Sequence, residues 1–419
     1  MMNYYELLLE KEAQKEAVIV DGVSHSYGWL CKEAEKRATQ WREEMSENLT
    51  GKVRVIKKKD IMEQLLDFLA CNATGQIPLL VPSDQKHYWD GEYLLSEPPE
   101  DACMAVCTSG TTGKPKIYYR SYESWAGFFP TQNRIFDVTE DSRLFAQGSL
   151  AFTGNLNLYL AQFYAGGVVI AENGFQPKRW LERIRESKAD SIYLIPTKLM
   201  LLPEMAKEKM SGIKMILSGS QSLGREDAIR LKEVFPNTKI VLYYGASELN
   251  YVTYVTDEEM GESRNLIGKP FPEVEVFLRE DKIYVNTPYH VEGVSCPYSL
   301  SDCAYQDEEG NFYFAGRKDD ILNIRGRKIS ALMIENELLQ LEGIQEAAVV
   351  SQKGQKQTQE LLVAYVVIQQ DYSLREEEIC QKLRQKLSKH EVPRRIYRLD
   401  RLPYNESGKV DKNKLIMLQ

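Results

Sequence analysis

Three short apolar runs, each closed by a turn of small or polar residues, do most to limit how this chain can fold. Ile192-Tyr193-Leu194-Ile195 runs into Pro196-Thr197, Met215-Ile216-Leu217 into Ser218-Gly219-Ser220-Gln221, and Ile240-Val241-Leu242-Tyr243 into Tyr244-Gly245-Ala246-Ser247-Glu248. Continuous apolar runs of this length read as buried strands, and strands that alternate with helical patterns layer as α/β. In open sheets of that class ligands sit at the carboxyl ends of the strands. The three turns are therefore expected to line one crevice.

Composition sets the class. At 419 residues, 43% apolar and 27% charged, the chain has the makeup of an ordinary globular protein with two or three domains and ample core. A net charge of −8 argues against a nucleic-acid surface. The opening Met1-Met2-Asn3-Tyr4-Tyr5-Glu6 lacks a basic and then apolar leader, and no stretch approaches membrane-spanning length, so a cytoplasmic location without membrane contact is expected. The seven cysteines, at 31, 71, 103, 107, 296, 303 and 380, are scattered without a C-x-x-C pair, which favours reduced thiols over a disulfide framework or zinc site. The four histidines are not at ligand spacing.

The remaining chain fills in around the strands. Ala17–Val20 reads as a strand ending at Asp21-Gly22, with a helical pattern following through Leu30 and Ala34. Val53–Ile56 reads as a strand and Ile61–Ala70 as a helix; Phe152-Thr153-Gly154-Asn155 opens another helical stretch that closes at Gly166-Gly167. Near Gly316-Arg317-Lys318-Asp319-Asp320 the sequence turns charged. Residues 1–318 are thus expected to form a large domain and 319–419 a small α+β domain. In the latter a hairpin passes through Gly326, Ile334, Leu338 and Leu341 share a helix face, and a last helix opens on a Ser373…Glu376 capping box.

One loop carries an unusual density of donors. Thr108-Ser109-Gly110-Thr111-Thr112-Gly113-Lys114-Pro115-Lys116 packs two glycines, four hydroxyls and two lysines between an apolar run and a β-prone one. Glycines let backbone N–H groups converge, hydroxyls add donors and lysines add charge, which suits a polyphosphate. Pro115 follows the Gly-Lys pair and no helix pattern comes after it, so the loop is not a Walker A element.

Together these pieces resemble the adenylate-forming superfamily of acyl- and aryl-CoA ligases, standalone adenylation domains and luciferases, over about Val18 to Leu415. Residues 108–116 look like its phosphate loop, Tyr244–Glu248 its Tyr-Gly-x-Thr-Glu signature and Ser301-Asp302 the end of its Thr-Gly-Asp motif. Gly316–Asp320 looks like its hinge, and Pro403-Tyr404-Asn405-Glu406-Ser407-Gly408-Lys409 like its catalytic lysine loop. The resemblance implies a layered α/β N-terminal domain, a small C-terminal α+β domain that moves, and a reaction in two steps. A carboxylate attacks the α-phosphate of ATP to give acyl-AMP and pyrophosphate, and a thiol then displaces AMP.

The roles implied are specific. Lys409 supplies countercharge to the attacking carboxylate and α-phosphate, Glu248 holds Mg²⁺, and Asp302 accepts the ribose hydroxyls with Arg317 in support. Tyr244 stacks on adenine with Gly219, Ser220 and Gln221 at its edge, Gly245 and Ala246 complete that signature, and Thr108, Ser109, Gly110, Thr111, Thr112, Gly113, Lys114 and Lys116 hold the phosphates. Two departures stand out: Ser247 replaces the usual threonine, and Gly219-Ser220-Gln221 replaces Gly-Gly-Ala. The plainer readings are a solvated turn lysine for Lys409, a helix-N-terminal glutamate for Glu248, and a surface ion pair for Asp302 and Arg317.

Phe152, Thr153, Gly154 and Asn155 occupy the segment that in relatives meets the acid. Amino-acid-activating members resemble Phe-Asp here; Thr153 offers no partner for an α-ammonium, and the nearby Asn155, Asn157, Asn250 and Tyr251 do not suit a fatty-acid tunnel. A small, hydroxylated aryl acid is the first expectation, with an amino-acid or fatty-acid ligase, or a non-catalytic nucleotide-binding relative, as alternatives. The phosphate loop starts early, as in compact standalone ligases. The acceptor thiol is coenzyme A or the phosphopantetheine of a carrier protein, and Lys318, Arg325, Arg327 and Lys328 form a basic cluster suited to either. Asp319 is the implied pivot.

Overall fold

In the first hundred residues a hairpin stands where the sequence pattern places the start of a helix. Asp21 and Gly22 both take positive φ (49° and 89°), which closes a tight two-residue turn between Glu16–Val20 and the antiparallel strand Val23–Ser26; the helix starts only at Tyr27 and runs to Met45. The computed structural model describes the chain except residues 1, 46–48, 84–96, 109–115, 318–320, 325–326, 354–359, 370–371, 405–409 and 419. Contacts divide it into two units, one of Met1–Glu262, Ile267–Val276 and Val285–Tyr298, the other of Ser263–Leu266, Phe277–Tyr284 and Ser299–Gln419. The architecture is α/β with a large N-terminal and a small C-terminal domain, and the junction expected at 318/319 lies outside the described residues.

In the large unit the three strands that opened the sequence analysis lie side by side. The order runs Asn250–Thr256, Lys239–Ala246, Met215–Gly219, Ser191–Tyr193, Arg143–Ala146, Val168–Ala171, Glu16–Val20, Val23–Ser26, parallel throughout except at the two ends. Strands such as Met215–Gly219 and Val168–Ala171 are buried at every position, as expected for a parallel sheet covered on both faces. A second sheet pairs Val53–Ile56, Ile77–Leu80 and Ala102–Thr108 in parallel and ends in the antiparallel Lys116–Ser121. Ile77–Leu80 has no alternation and only four residues, so the sequence pattern passed over it.

The small unit packs Ala331–Leu339 and Glu376–Leu383 against Ile344–Lys353, Glu360–Ile368 and Arg395–Arg398, around Ile334, Leu338, Val349, Val366, Ile379 and Leu383. The second helix is not capped by Ser373 as expected. It starts two residues later, with Arg375 at the cap and the Glu378 carboxylate accepting from the Arg375 N–H at 2.8 Å. Buried Gln352 and Tyr365 both donate to the Leu415 carbonyl, at 3.0 and 3.1 Å, and so anchor the last helix, Lys412–Met417. All seven cysteines are free thiols, and no described helix is long and apolar enough to cross a membrane.

Gly268 tests the packing of the large unit. Its φ is +80°, and a Cβ there would overlap the Tyr254 carbonyl and stand 2.9 Å from the Val255 Cβ. Gly268→Ala is expected to cost about 3 kcal/mol, the sum of backbone strain and overpacking. A lowered urea midpoint with an unchanged slope checks this.

Candidate active site

The Ser247-Glu248-Leu249 turn joins the strands Lys239–Ala246 and Asn250–Thr256, and no helix follows it. This removes the plain reading of Glu248 as a residue placed by a helix N-terminus. The turn is fixed instead by specific bonds: Leu249 N–H donates to Ala246 O at 3.1 Å and Val291 N–H to Glu248 O at 2.9 Å. A residue that the motif search passed over completes it. Arg120 is fully buried, and its guanidinium donates to Ser247 O at 2.8 Å, Tyr289 O at 3.1 Å, and Ser124 O and Oγ at 3.2 Å each. Burial pushes its pKa down to about 10, with the negative charge of Glu248 among the influences acting the other way, so the group stays cationic at neutral pH. Tyr118, two residues earlier on the same strand, is raised to about 12 by burial, then by Tyr298 and by Glu248.

Thr153 reaches the same turn. Its Oγ1 lies 2.9 Å from Ser247 Oγ, which ties the start of the helix Thr153–Ala165 to the residue before Glu248. Gly154 then rests against tyrosine hydroxyls: a Cβ on it would sit 2.5 Å from Tyr193 OH and 3.1 Å from Tyr243 OH. Those hydroxyls are 2.8 Å apart, and the parallel register sets Gly219 opposite Tyr243, so close that a Gly219 Cβ would be 2.6 Å from the ring. Tyr251 packs edge-on against Tyr243 at 4.6 Å and donates to Asn157 Oδ1 at 3.1 Å. Asn157 Nδ2 donates to Asn250 Oδ1 at 3.5 Å, while the buried Asn250 Nδ2 has no partner. Burial raises the pKa of Tyr193 and Tyr251 well above the ordinary value and that of Tyr243 to about 12, so all three stay neutral hydroxyls.

A second polar group flanks this wall. Buried Asn155 donates to Ser149 O at 3.0 Å, and Gln64 Oε1 accepts from the Leu150 N–H at 2.8 Å, which shapes the segment leading into Phe152. Lys198 donates to Gln147 Oε1 at 2.7 Å, and burial lowers its pKa. Lysine 198 follows a proline in a four-residue helix and carried no motif. Phe152 is exposed. Ser220, at φ 68°, and Gln221 are exposed, with Gln221 Oε1 accepting from Thr197 N–H at 3.2 Å. Tyr244, Ala246 and Ser247 are half-buried and Gly245 is exposed, at the carboxyl end of their strand.

Other expected residues fall elsewhere or outside the description. Ser109, Gly110, Thr111, Thr112, Gly113 and Lys114 lie outside the described residues; Thr108 and Lys116 face each other in register as the loop's two ends. In the small unit Asp302 is buried and in register with Arg317, whose side chain is outside the described residues. Asp319 and Lys409 are outside them too, as are Lys318, Arg325 and Gly326; the lysine loop is bounded by a bridge between Tyr404 and Val410.

The donor set around Glu248 fits one kind of metal. Among the described residues no three His, Cys, Asp or Glu side chains gather as a closed cage. A single half-buried carboxylate beside hydroxyls suits Mg²⁺, which keeps waters and takes its other ligands from phosphate oxygens. The tyrosine wall offers neutral hydrogen-bonding groups to a small ligand lying over Gly154.

Family models match most of the chain. The model of the AMP-binding enzyme family matches residues 8–296, and that of the AMP-binding enzyme C-terminal domain matches 333–409. VraA of Staphylococcus haemolyticus, named as a long chain fatty acid-CoA ligase, is 31% identical over 323 residues, 73% of this chain and 68% of its own. YhfT of Bacillus subtilis, named an uncharacterized acyl-CoA ligase, is 28% identical over 334 residues, 76% of this chain and 68% of its own. The structure of O-succinylbenzoate coenzyme A synthetase from Bacillus subtilis, in complex with ATP and magnesium ion, superposes with a TM-score of 0.86 at 19% identity over 99% of each chain. At that identity the likeness is one of fold.

Gly154→Ala is expected to push Tyr193 and Tyr243 from their hydroxyl pair. The acid's KM should rise about tenfold, the effect of one misplaced methyl group in a fitted pocket, while the KM for ATP stays within about twofold. ATP–pyrophosphate exchange with each substrate varied in turn reads both.

Proposed function

The chain belongs to the AMP-binding enzyme family, as an AMP-forming acid–thiol ligase, and we propose that its acid is small, aromatic and hydroxylated. The observation that carries this reading is the wall of Tyr193, Tyr243 and Tyr251 with Asn157 and Asn250. Four of these side chains satisfy one another, and an alkyl chain would leave the buried Asn250 Nδ2 unpaired, at about 1–3 kcal/mol. A hydroxylated ring satisfies the orphan Asn250 Nδ2 and stacks on tyrosine faces. Thr153 accepts or donates at Ser247 and holds no charge, which disfavours an α-ammonium. The rival reading, a fatty acid, is favoured by the name of VraA.

In the adenylation step the acid's carboxylate attacks the α-phosphate of ATP, the bond to pyrophosphate breaks, and acyl-AMP forms. Negative charge gathers on the phosphoryl oxygens, so the residues act mainly by position and countercharge. Glu248 would hold Mg²⁺, which neutralises phosphate charge when bound. Its turn fits that task, being fixed by Val291, Thr153 and Arg120. Lys116 and the loop it closes would hold the phosphates, Tyr244 the adenine, and Asp302 with Arg317 the ribose. Lys409 would bring a positive charge to the reacting carboxylate and α-phosphate. In the second step a thiol attacks the acyl carbon, loses its proton, and releases AMP. The thiol would be that of coenzyme A or of a carrier protein's phosphopantetheine.

ATP–pyrophosphate exchange across a panel of acids tests the substrate class. Hydroxybenzoates are expected to exchange at least about tenfold faster than C12–C16 fatty acids or amino acids at equal concentration, given the unpaired groups that the others leave. Faster exchange with a fatty acid would replace the reading, and exchange with none would leave a nucleotide binder.

The two steps need different neighbours over one acyl-AMP, which supports a swing of the small domain about Asp319. Lys409→Ala is expected to slow adenylation at least about a hundredfold while supplied acyl-AMP still yields thioester. Asp319→Pro, which fixes φ, should spare adenylation and stop thioester formation. Equal loss in both half-reactions for Lys409→Ala contradicts this division.

A further inference from the structure

Arg120 is the largest charged side chain in the interior of the large unit, and nothing in the proposed chemistry uses it directly. Its strand, Lys116–Ser121, begins at the end of the candidate phosphate loop, and its guanidinium ends at the carbonyl of Ser247, the residue before Glu248. The same fork holds Tyr289 O at 3.1 Å, and Val291, two residues on, donates its N–H to Glu248 O at 2.9 Å. The Glu248 turn is therefore gripped from both sides by one planar group and the segment that group fixes. Its two terminal nitrogens are held by carbonyls while its Nε is buried without a partner, and a buried cation of this kind is costly to keep and strongly destabilising to strip of its partners.

We propose that Arg120 is a positioning residue for the metal–nucleotide: its guanidinium fork sets the Ser247–Glu248 turn so that the Glu248 carboxylate meets Mg²⁺ in one orientation. This rests on the reading of Glu248 as the metal's carboxylate. Lysine cannot replace the fork, because a single ammonium does not span Ser247 O, Tyr289 O and Ser124 at once. Outer-shell groups of this kind typically govern metal affinity by about 10–100-fold.

The test compares Arg120→Lys, which keeps the charge, and Arg120→Gln, which keeps part of the donor geometry, each alone and combined with Glu248→Gln. Three readouts are taken: the Mg²⁺ concentration giving half-maximal ATP–pyrophosphate exchange, the binding of Mn²⁺ with a non-hydrolysable ATP analogue followed by electron paramagnetic resonance, and the conversion of supplied acyl-AMP to thioester. Both single variants should raise the metal requirement and weaken Mn²⁺ binding about tenfold or more, with thioester formation within about twofold. In the Glu248→Gln background neither should add a further shift. A loss shared equally by both half-reactions without a shift in metal requirement makes Arg120 a structural staple and overturns the proposal. So does a full-sized further shift in the Glu248→Gln background. If Glu248→Gln alone leaves metal binding normal, the reading beneath the proposal fails instead, and the proposal falls with it. Arg120→Gln carries the test if Arg120→Lys does not fold.

Discussion

The site depends on the parallel pairing of Met215–Gly219 with Lys239–Ala246. That register sets Gly219 against Tyr243, and only a residue without a Cβ lets the tyrosine ring lie flat over the strand end. Tyr243 in turn reaches across Met215–Gly219 to the hydroxyl of Tyr193 and packs edge-on against Tyr251 on the returning strand, so three strands are joined at their site ends by tyrosines rather than by aliphatic packing. One residue further on, the same strand presents Tyr244, and four further still its turn presents Glu248. A one-residue slip would send the tyrosine network to the opposite face and carry Tyr244 inward, which is why register here is also specificity.

Charge is arranged with similar economy. Arg120 is held by the backbone carbonyls of Ser247, Tyr289 and Ser124, and the negative charge of Glu248 acts against the lowering of its pKa by burial. Lys198 bonds to the neutral Gln147 amide, and burial lowers its pKa.

Much of this was legible in the sequence because it follows from local rules. Apolar runs of three to five residues ending in Ser-Gly-Ser or Tyr-Gly-Ala gave the central strands, and the donor-rich segment 108–116 sits between two strands as its flanks indicate. What was missed depends on partners far along the chain. Arg120 looked like one basic residue in a β-prone run, and its importance lies in Ser247 and Tyr289, 127 and 169 residues away. The turn at Asp21-Gly22 and the helix through Leu30 and Ala34 stand as the sequence reads, but the strand between them does not show, because Val23-Ser24-His25-Ser26 has little apolar alternation. Asn250–Thr256 was passed over because attention to the Glu248 motif stopped at the turn. The shifted cap at Arg375 shows that a Ser-x-x-Glu pattern competes with a later carboxylate, Glu378, able to reach back to a free N–H.

The polarity of the acid wall can also be weighed against the names of relatives. An overall identity of 31% says which family a chain belongs to and is least informative about the positions that would touch a variable substrate. The proposed acid wall of Gly154, Tyr193, Tyr243 and Tyr251 would be such a place. A phenylalanine would pack as well as each tyrosine and avoid the cost of burying a hydroxyl, about 1–3 kcal/mol when it is unpaired. Three buried tyrosines joined to two asparagines, with one amide donor left over at Asn250, therefore make little sense as core packing alone. They fit the proposed reading, in which the last hydrogen bond of the network would go to the substrate and the choice of acid would lie in side chains rather than in the fold.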